Sequence, residues 1–366
     1  MSFPQIDPVR LRVYPVESRK SKSRIEAIAV DAEAPPPAMS APVATAVAEI
    51  VQRIQHARKQ GAPVMLAFGA HLIKNGLTPV LIRLMEKGWI THLATQGAGT
   101  IHDWEFAYLG RSEEDVRANV ETGSFGTWEE TGKYINLAVQ TGALENMGYG
   151  ESVGHLIQTD GLDIPDADTL RRRIAVGLEG DLAGVPALAE LLNTVQKFNL
   201  APGRLTVLHP FKRFSYLAAA CRLRVPVTVH PGIGYDIIYN NPFANGAAIG
   251  RGAHTDFKIF VHSVSRLSEG VFLSVGSAIM APQVFEKALS QANNLALQRG
   301  EKIHDHYIHV VDLQDSVWDW SQGEPPKSSP DYYLRFLKSF YRMGGTIRYT
   351  AGDNRVLLHN LYAALK

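Results

Sequence analysis

Short runs of apolar residues alternate along this chain with segments whose apolar residues recur at helical spacing. Residues 64–68 (VMLAF) form one such run. Continuous runs of this length are typical of strands buried on both faces of a parallel sheet. Between residues 47 and 54 the apolar positions instead recur at intervals of three and four, which indicates one face of a helix.

The same two patterns continue to the end of the chain. Apolar runs predict strands at 64–68, 92–95, 205–208, 225–229, 271–275, 307–311 and 346–349. Helical patterns lie between most of them, at 78–87, 213–223, 282–298 and 330–342. Strand–helix alternation is typical of βαβ units. We therefore expect an α/β fold, a doubly wound, mostly parallel sheet of about seven strands with an extra helical layer.

The chain is expected to divide into an N-terminal arm, residues 1–43, and a single α/β domain, residues 44–366. Residues 113–200 are mainly helical in pattern and predict an insertion in that domain. Three consecutive prolines at 35–37 exclude a helix at these positions of the arm and favour extended polyproline geometry. Its basic residues are expected to lie on a solvated surface of a loosely packed segment; they are Arg19, Lys20, Lys22 and Arg24.

Composition removes several classes of function. The 366 residues carry 37 Lys and Arg against 36 Asp and Glu, a formal net charge of +1, so the basic excess typical of nucleic-acid binding is missing. A single cysteine, Cys221, excludes an intrachain disulfide and a cysteine-based metal cluster. Apolar runs are too short for a membrane helix and the first residues lack a signal peptide's pattern. We expect a cytoplasmic protein without a membrane partner.

Glycine, histidine and aspartate follow the predicted strands. Ligands of an open parallel sheet bind beyond the carboxyl ends of its strands. Glycine lets the backbone approach a phosphate closely, and histidine or aspartate can bind ribose hydroxyls or transfer protons. The residues in question are Gly69, His71, Gly97, Ala98, Gly99, His209, His230, Gly232, Gly276, Ser277, Asp312 and Asp353. Their convergence on one edge predicts a binding site there.

Common nucleotide-binding motifs are missing from the sequence, and two other motifs in it are better explained by secondary structure than by function. The chain contains neither G-x-G-x-x-G with a later carboxylate nor a P-loop, which argues against ordinary Rossmann dehydrogenases and P-loop kinases. Residues 304–309 (HDHYIH) have the composition of a metal tract, but His306 and His309 would face opposite sides of a strand, so we expect no metal. Thr127 and Glu130 have the spacing of a capping box, which predicts a helix start.

Four segments, in this order, resemble deoxyhypusine synthase and its bacterial relatives. Residues 66–77 (LAFGAHLIKNGL), followed by residues 91–103 (THLATQGAGTIHD), are similar to the strand–turn–helix–strand element whose turns hold NAD in that family. Residues 225–236 are similar to its aspartate-and-glycine loop, and residues 270–288 to its strand leading to a glycine turn. Residues 347–358 resemble its closing strand and turn.

The resemblance implies a doubly wound NAD-binding fold, a cytoplasmic homotetramer with sites at subunit interfaces, and a small-molecule amine as substrate. By position it implies cofactor contacts at Gly69, His71, Gly97, Ala98, Gly99, Asp103, Gly232, Gly276, Ser277 and Asp353. It also implies His102 or His230 as the general base, with Asp236 or Asp312 binding a cationic amine.

The chain departs from the family where the family's chemistry occurs. Residues 315–324 contain no lysine, although a lysine in this region forms the family's Schiff base. Residues 279–282 (IMAP) replace the catalytic histidine, and His230 replaces the first aspartate of its loop. Because amine transfer to an enzyme lysine needs that nucleophile, protein deoxyhypusination is not expected.

Three functions therefore stay open. One is an NAD-dependent enzyme that oxidises a C–N bond of a small amine. Another is a hydrolase or lyase without NAD, built from His209, His230 and Asp312 at neighbouring strand ends. The last is a non-catalytic nucleotide-binding protein on an enzyme fold.

Overall fold

The computed structural model describes residues 3–366 as a mixture of helices and short strands. The strands are β1 (Ser23–Arg24), β2 (Val64–Phe68), β3 (His92–Thr95), β4 (Arg111–Ser112), β5 (Gly161–Ile164), β6 (Gly203–Thr206), β7 (Val227–Val229), β8 (Val271–Val275), β9 (Tyr307–Asp312) and β10 (Thr346–Ala351). The helices are α1 (Ile25–Ile28), α2 (Ala41–Lys59), α3 (His71–Lys74), α4 (Thr78–Glu86), α5 (Gly97–Leu109), α6 (Val116–Glu121), α7 (Glu129–Gly142), α8 (Tyr149–Thr159), α9 (Ala167–Glu179), α10 (Val185–Lys197), α11 (Tyr216–Leu223), α12 (Gly246–Val264), α13 (Met280–Leu297), α14 (Arg335–Tyr341) and α15 (Asn354–Leu365).

Six strands form one sheet in the order β10-β9-β8-β2-β3-β7. Every pair is parallel, with Leu66 of β2 opposite Leu93 of β3 and Leu273 of β8. All residues of β2, β3, β7 and β8 are buried, as strands covered on both faces must be. The prediction of a doubly wound α/β fold is confirmed.

The predicted number of about seven strands in this sheet is one too high. The apolar run at 205–208 overlaps β6, which pairs antiparallel with β5 in a separate two-stranded sheet. Its residues are exposed or half-exposed. An element so open to solvent lacks the two covered faces that a strand inside a parallel sheet requires.

The chain forms two compact units. Unit 1 contains the described residues up to Ala27, together with Thr100–Cys221 and Pro231–Asp256. Unit 2 contains Ile28–Gly99, Arg222–His230 and Phe257–Lys366. The boundaries predicted at residues 43, 113 and 200 stay predictions.

Unit 2 contains the six-stranded sheet and much of the apolar core. Phe272 of β8 and Phe285 of α13 stack with ring centroids 4.2 Å apart, and Phe340 of α14 packs against both. These rings belong to one buried cluster on the sheet. Because aromatic rings bury large apolar areas, this cluster holds α13 and α14 against the sheet.

Unit 1 is largely helical and includes the beginning of the chain. The backbone N–H of Tyr14 donates to Thr127 at 3.0 Å, and Glu129 donates back to Tyr14 at 2.8 Å. Glu130 accepts from the backbone N–H of Val16 at 2.7 Å. The capping box predicted for Thr127 and Glu130 is therefore wrong, although α7 does begin at this point.

The basic stretch near the start of the chain is divided between solvent and interior. Lys20, Lys22 and Arg24 are exposed, as predicted. Arg19 is 5% exposed and lies inside unit 1, contrary to expectation. Within residues 3–366, no helix combines the length and apolar content needed to cross a membrane.

Candidate functional site

The carboxyl edge of the sheet in unit 2 contains a close approach between two strands. The chain runs outward from β2 through β3 to β7 in one direction, and from β8 through β9 to β10 in the other. The order therefore reverses between β2 and β8. Crevices at such reversal points are where open α/β sheets bind their ligands, dinucleotides in particular.

Gly69 and Gly276 lie at this reversal point, one residue beyond β2 and β8 respectively. The N–H of Gly69 donates to Val275 at 3.1 Å. A Cβ on Gly69 would lie 2.0 Å from the carbonyl oxygen of Gly276, so no other residue fits there. Gly276 is exposed and has a φ of +60° with open space around its Cα. The pair leaves bare backbone where a pyrophosphate could approach.

A second glycine turn follows β3. Gly97, Ala98 and Gly99 form the first turn of α5, a helix of 13 residues. A Cβ on Gly99 would lie 2.3 Å from the hydroxyl oxygen of Thr95, which itself donates to the carbonyl of Phe68 at 3.0 Å. The hydroxyl thus joins the ends of β2 and β3. The positive end of the α5 dipole favours an anion at this turn.

The other predicted residues of this edge have mixed environments. His71 lies at the surface, where partial desolvation of its imidazole, together with the positive charge of Lys74, lowers its pKa. Ser277 accepts from the N–H of Ala281 at 3.2 Å. Asp312 accepts from the N–H of Leu313 at 2.8 Å, and Asp353 caps α15 through the N–H groups of residues 355 and 356. Local hydrogen bonds therefore account for Ser277 and Asp353 without a ligand.

His230 directly follows β7 and is buried in unit 2. Its Nε2 lies 3.1 Å from the hydroxyl oxygen of Thr228, and its ring meets Phe260 edge-on at 5.4 Å. His92 shares the same hydroxyl at 3.0 Å. Burial lowers the pKa of His230 to about 4 and that of His92 to about 3. Both imidazoles are neutral at neutral pH.

The hydrolase or lyase built from His209, His230 and Asp312 at neighbouring strand ends is contradicted by the topology. β7 and β9 are separated by three other strands, or roughly 19 Å at the usual strand spacing. His209 follows β6, which is outside this sheet. Among residues 3–366, no group of three His, Cys, Asp or Glu side chains is arranged to hold a metal ion.

In unit 1, His102 belongs to a chain of hydrogen bonds that includes Ser112, Glu105 and Arg19. Its Nδ1 lies 2.7 Å from the hydroxyl oxygen of Ser112, and that hydroxyl donates to Glu105 at 2.6 Å. Glu105 is fully buried and also accepts from Thr131 at 2.9 Å. Arg19 clamps it with two bonds of 2.7 Å each. Burial by itself raises the pKa of Glu105, but Arg19, His102 and the Ser112 hydroxyl together outweigh burial and hold the pKa below its usual range.

The direction of these bonds determines the tautomer of His102. Because Glu105 is an ionised acceptor, the single proton of the Ser112 hydroxyl points toward it. The hydroxyl oxygen then accepts from Nδ1–H of His102, so the lone pair of the neutral form of this imidazole is on Nε2. A histidine with a fixed tautomer has the form that a general base requires.

The remaining predicted residues of unit 1 differ in their surroundings. Asp103 accepts from Ser215 at 2.5 Å and from the N–H groups of Tyr216 and Leu217 at the start of α11. Burial raises its pKa to about 7. Asp236 is buried. Gly232 lies against the ring of Tyr235, which a Cβ on Gly232 would approach to 1.9 Å. Asp103 is thus explained by helix capping.

Sequence reasoning missed the residues that orient His102. Glu105 and Ser112 are separated from each other by a helix end, and Arg19 lies 86 residues before Glu105. The available signal was Glu105, a charged residue three positions after His102 on the same helix.

No protein-family model matches the sequence, and no curated protein matches it. Solved structures do resemble it. The ternary complex of AgrE with ornithine and NAD+ is 13% identical, with a TM-score of 0.41 over 90% of this chain and 33% of AgrE. A provisionally assigned LOR/SDH protein from Methanococcus maripaludis S2 is 12% identical, with a TM-score of 0.43 over 97% and 76%. A provisionally assigned deoxyhypusine synthase from Entamoeba histolytica is 9% identical, with a TM-score of 0.40 over 89% and 87%. The chain thus spans about a third of the length of AgrE.

Proposed function

We propose that the protein binds NAD at the carboxyl edge of the six-stranded sheet and oxidises a C–N bond of a small amine. The observation that supports this most is the reversal of strand order at Gly69 and Gly276. Doubly wound sheets bind dinucleotides at that point. The glycine turn that starts α5 supplies N–H groups for the phosphates in the same proposal. NAD as the particular dinucleotide comes from the resemblance to deoxyhypusine synthase.

In the proposed reaction, a hydride leaves the carbon that bears the amine and passes to NAD. The resulting imine is then attacked by water or by a second amine. Within unit 1, His102 is proposed as a general base that acts through Nε2, with Ser112 and Glu105 as positioning residues. Asp236 or Asp312 is proposed to bind a cationic amine.

Binding is tested with a matched pair of glycine variants. Gly276 and Gly300 are both exposed, have φ values of +60° and +74°, and have open space around them. Alanine at either position pays a similar cost for a left-handed backbone. Only Gly276→Ala adds a methyl group at the reversal point. We expect it to weaken NADH binding roughly tenfold, equivalent to one hydrogen bond to a charged group, and Gly300→Ala to leave binding unchanged.

NADH binding can be followed by energy transfer from tryptophan, and bound nucleotide by mass spectrometry of the purified protein. Failure to bind NAD or NADH, or equal weakening by the two variants, would refute the proposed site. Turnover is tested by NADH formation in the presence of amines. Ser112→Ala should lower kcat and spare NADH affinity, whereas Ser23→Ala on the paired strand should change neither. Binding without any turnover would favour the non-catalytic alternative.

A further inference from the structure

Unit 1 contains an open cleft of about 370 Å³ beside the two-stranded ribbon of β1 and β4. Arg24 of β1 and Arg111 of β4 are direct partners in the antiparallel register, and both line the cleft. Side chains directly opposite each other in such a pair project from the same face, about 5 Å apart at Cβ. The side chains of Arg24 and Arg111 therefore leave the ribbon at neighbouring positions on one wall of the cleft.

The positive charge of this wall is not neutralised by the protein. Across residues 3–366, the Arg24 side chain makes no ion pair or hydrogen bond, and Arg111 has one long contact of 3.5 Å with the carbonyl of Glu17. Glu26 also lines the cleft, but it is paired with Arg213 at 2.9 Å. Like charges directly opposite each other destabilise a strand pair. A bound anion would remove that cost.

An aromatic ring forms another part of the lining. Phe211 is held by a backbone bond from its N–H to Ala107 at 3.0 Å. Its ring lies against Gly110, which has a φ of +70°; a Cβ there would be 2.8 Å from the ring. Glycine is therefore required both by the backbone and by the ring. The half-buried ring offers a flat apolar surface beside the two arginines.

We propose that this cleft binds a small organic phosphate, with the phosphoryl group held by Arg24 and Arg111 and a planar group lying on Phe211. Planar guanidinium forks match the geometry of phosphate oxygens and form two hydrogen bonds each. The volume lies at the lower end of the range for small-molecule sites, roughly 300–1,000 Å³. The site goes beyond the proposed NAD function, since none of the residues that line the cleft takes part in that function.

The test uses phenyl phosphate, inorganic phosphate and phenol as probes of the full chain, by calorimetry at low ionic strength. Phenyl phosphate should bind tighter than inorganic phosphate, and phenol should not bind. Arg24→Gln and Arg111→Gln should each weaken phenyl phosphate roughly tenfold or more. Phe211→Leu should reduce its affinity to that of inorganic phosphate. Arg171→Gln, an exposed arginine paired with Asp168 on α9, should have no effect.

A second readout is the melting temperature, measured first without ligand and then with phenyl phosphate. If the two arginines repel each other in the free protein, Arg24→Gln should raise its melting temperature at low salt and lose this gain when phenyl phosphate is added to both proteins. The proposal is refuted if phenyl phosphate does not bind at millimolar concentration, or if both arginine variants bind it like the unchanged protein. Equal affinity for phenyl and inorganic phosphate would refute the organic class of ligand.

Discussion

Replacing Arg19 by methionine should destabilise the protein severely, although Arg19 stands in a stretch of basic surface residues. The side chains of Arg19 and Glu105 are 2% and 1% exposed, and two hydrogen bonds of 2.7 Å join them. The guanidinium also lies 5.3 Å from the centre of the Trp128 ring. Methionine keeps an apolar stem against Trp128 but leaves the Glu105 carboxylate without its counter-ion.

The magnitude follows from the burial of both partners. Removing one member of a buried ion pair typically costs about 3–5 kcal/mol, because an uncompensated charge stays in the interior. The hydroxyl groups of Ser112 and Thr131 still donate to Glu105, which places the expected cost at the lower end. In a unit of 150–250 residues, a cost of about 3 kcal/mol corresponds to a fall in melting temperature of roughly 6–12 °C.

The pH dependence of this cost has a definite sign. In the unchanged protein, Arg19 holds the pKa of Glu105 below its ordinary value of 4.5. The stability due to ionised Glu105 is present above pH 4.5 and is lost as pH falls through the lower, folded-state pKa. Without Arg19, burial raises the pKa of Glu105, so the variant loses stability as pH rises above 4.5. The cost of Arg19→Met should therefore be larger at pH 7 than near pH 4.5.

Urea unfolding followed by tryptophan fluorescence measures these differences. Lys20→Met, an exposed neighbour, should change the free energy of unfolding by less than about 0.5 kcal/mol. The double variant Arg19→Met with Glu105→Gln should recover much of the loss, since no buried charge is left. A cost below about 1 kcal/mol for Arg19→Met, or a cost that does not change with pH, would refute the buried-pair reasoning.

The remaining predictions concern buried histidines, one buried aspartate and the glycine at the strand reversal. Burial lowers the pKa to about 3 for His92 and about 4 for His230. The folded state favours the neutral form of both histidines, so the free energy of unfolding should fall as pH drops below about 6.5, by up to ~1.4 kcal/mol per pH unit for each histidine. Urea midpoints that do not change between about pH 7 and pH 5 would contradict this. Burial raises the pKa of Asp103 from 3.8 to about 7, so its contribution to stability is lost as pH rises through that window, and Asp103→Asn should flatten this part of the profile. Gly69→Ala should lower the free energy of unfolding by about 1–3 kcal/mol or more, because its methyl group would meet the Gly276 carbonyl. Gly184→Ala, where the space is open, is the control. Equal losses of stability in urea unfolding would show that Gly69 can move away from Gly276.

The strands of the central sheet could be predicted closely because each consists of a short run of mainly apolar residues. The runs at 64–68, 92–95 and 271–275 coincide with β2, β3 and β8. A strand covered on both faces is mainly apolar along its whole length, and that tendency can be recognised without knowledge of its neighbours. The order of the strands required the structure, since it depends on which crossovers lie on which side.

The strand predicted at 205–208 shows what such a pattern leaves undetermined. Its letters, LTVL, match a buried strand, yet Leu208 is 64% exposed and β6 pairs with β5 instead. Pairing is a property of two segments, and the apolar content of one of them does not determine it. The same limit applied to the capping box, where Glu130 had a more distant partner in Val16.

Candidate site residues divide along the same line. Gly69 and Gly99 have no room for a Cβ, so only glycine fits at these positions. Glycine after a predicted strand was visible in the sequence, and the structure shows the close contact that requires it. The role of a polar side chain cannot be predicted in the same way, because a buried imidazole or carboxylate depends on the hydrogen-bond partner that the fold brings to it. His230 meets Thr228 and stays neutral in the core, whereas His102 meets a serine that Glu105 and Arg19 hold in place. The chain of hydrogen bonds at His102 is therefore the part of the proposed chemistry that only coordinates could reveal.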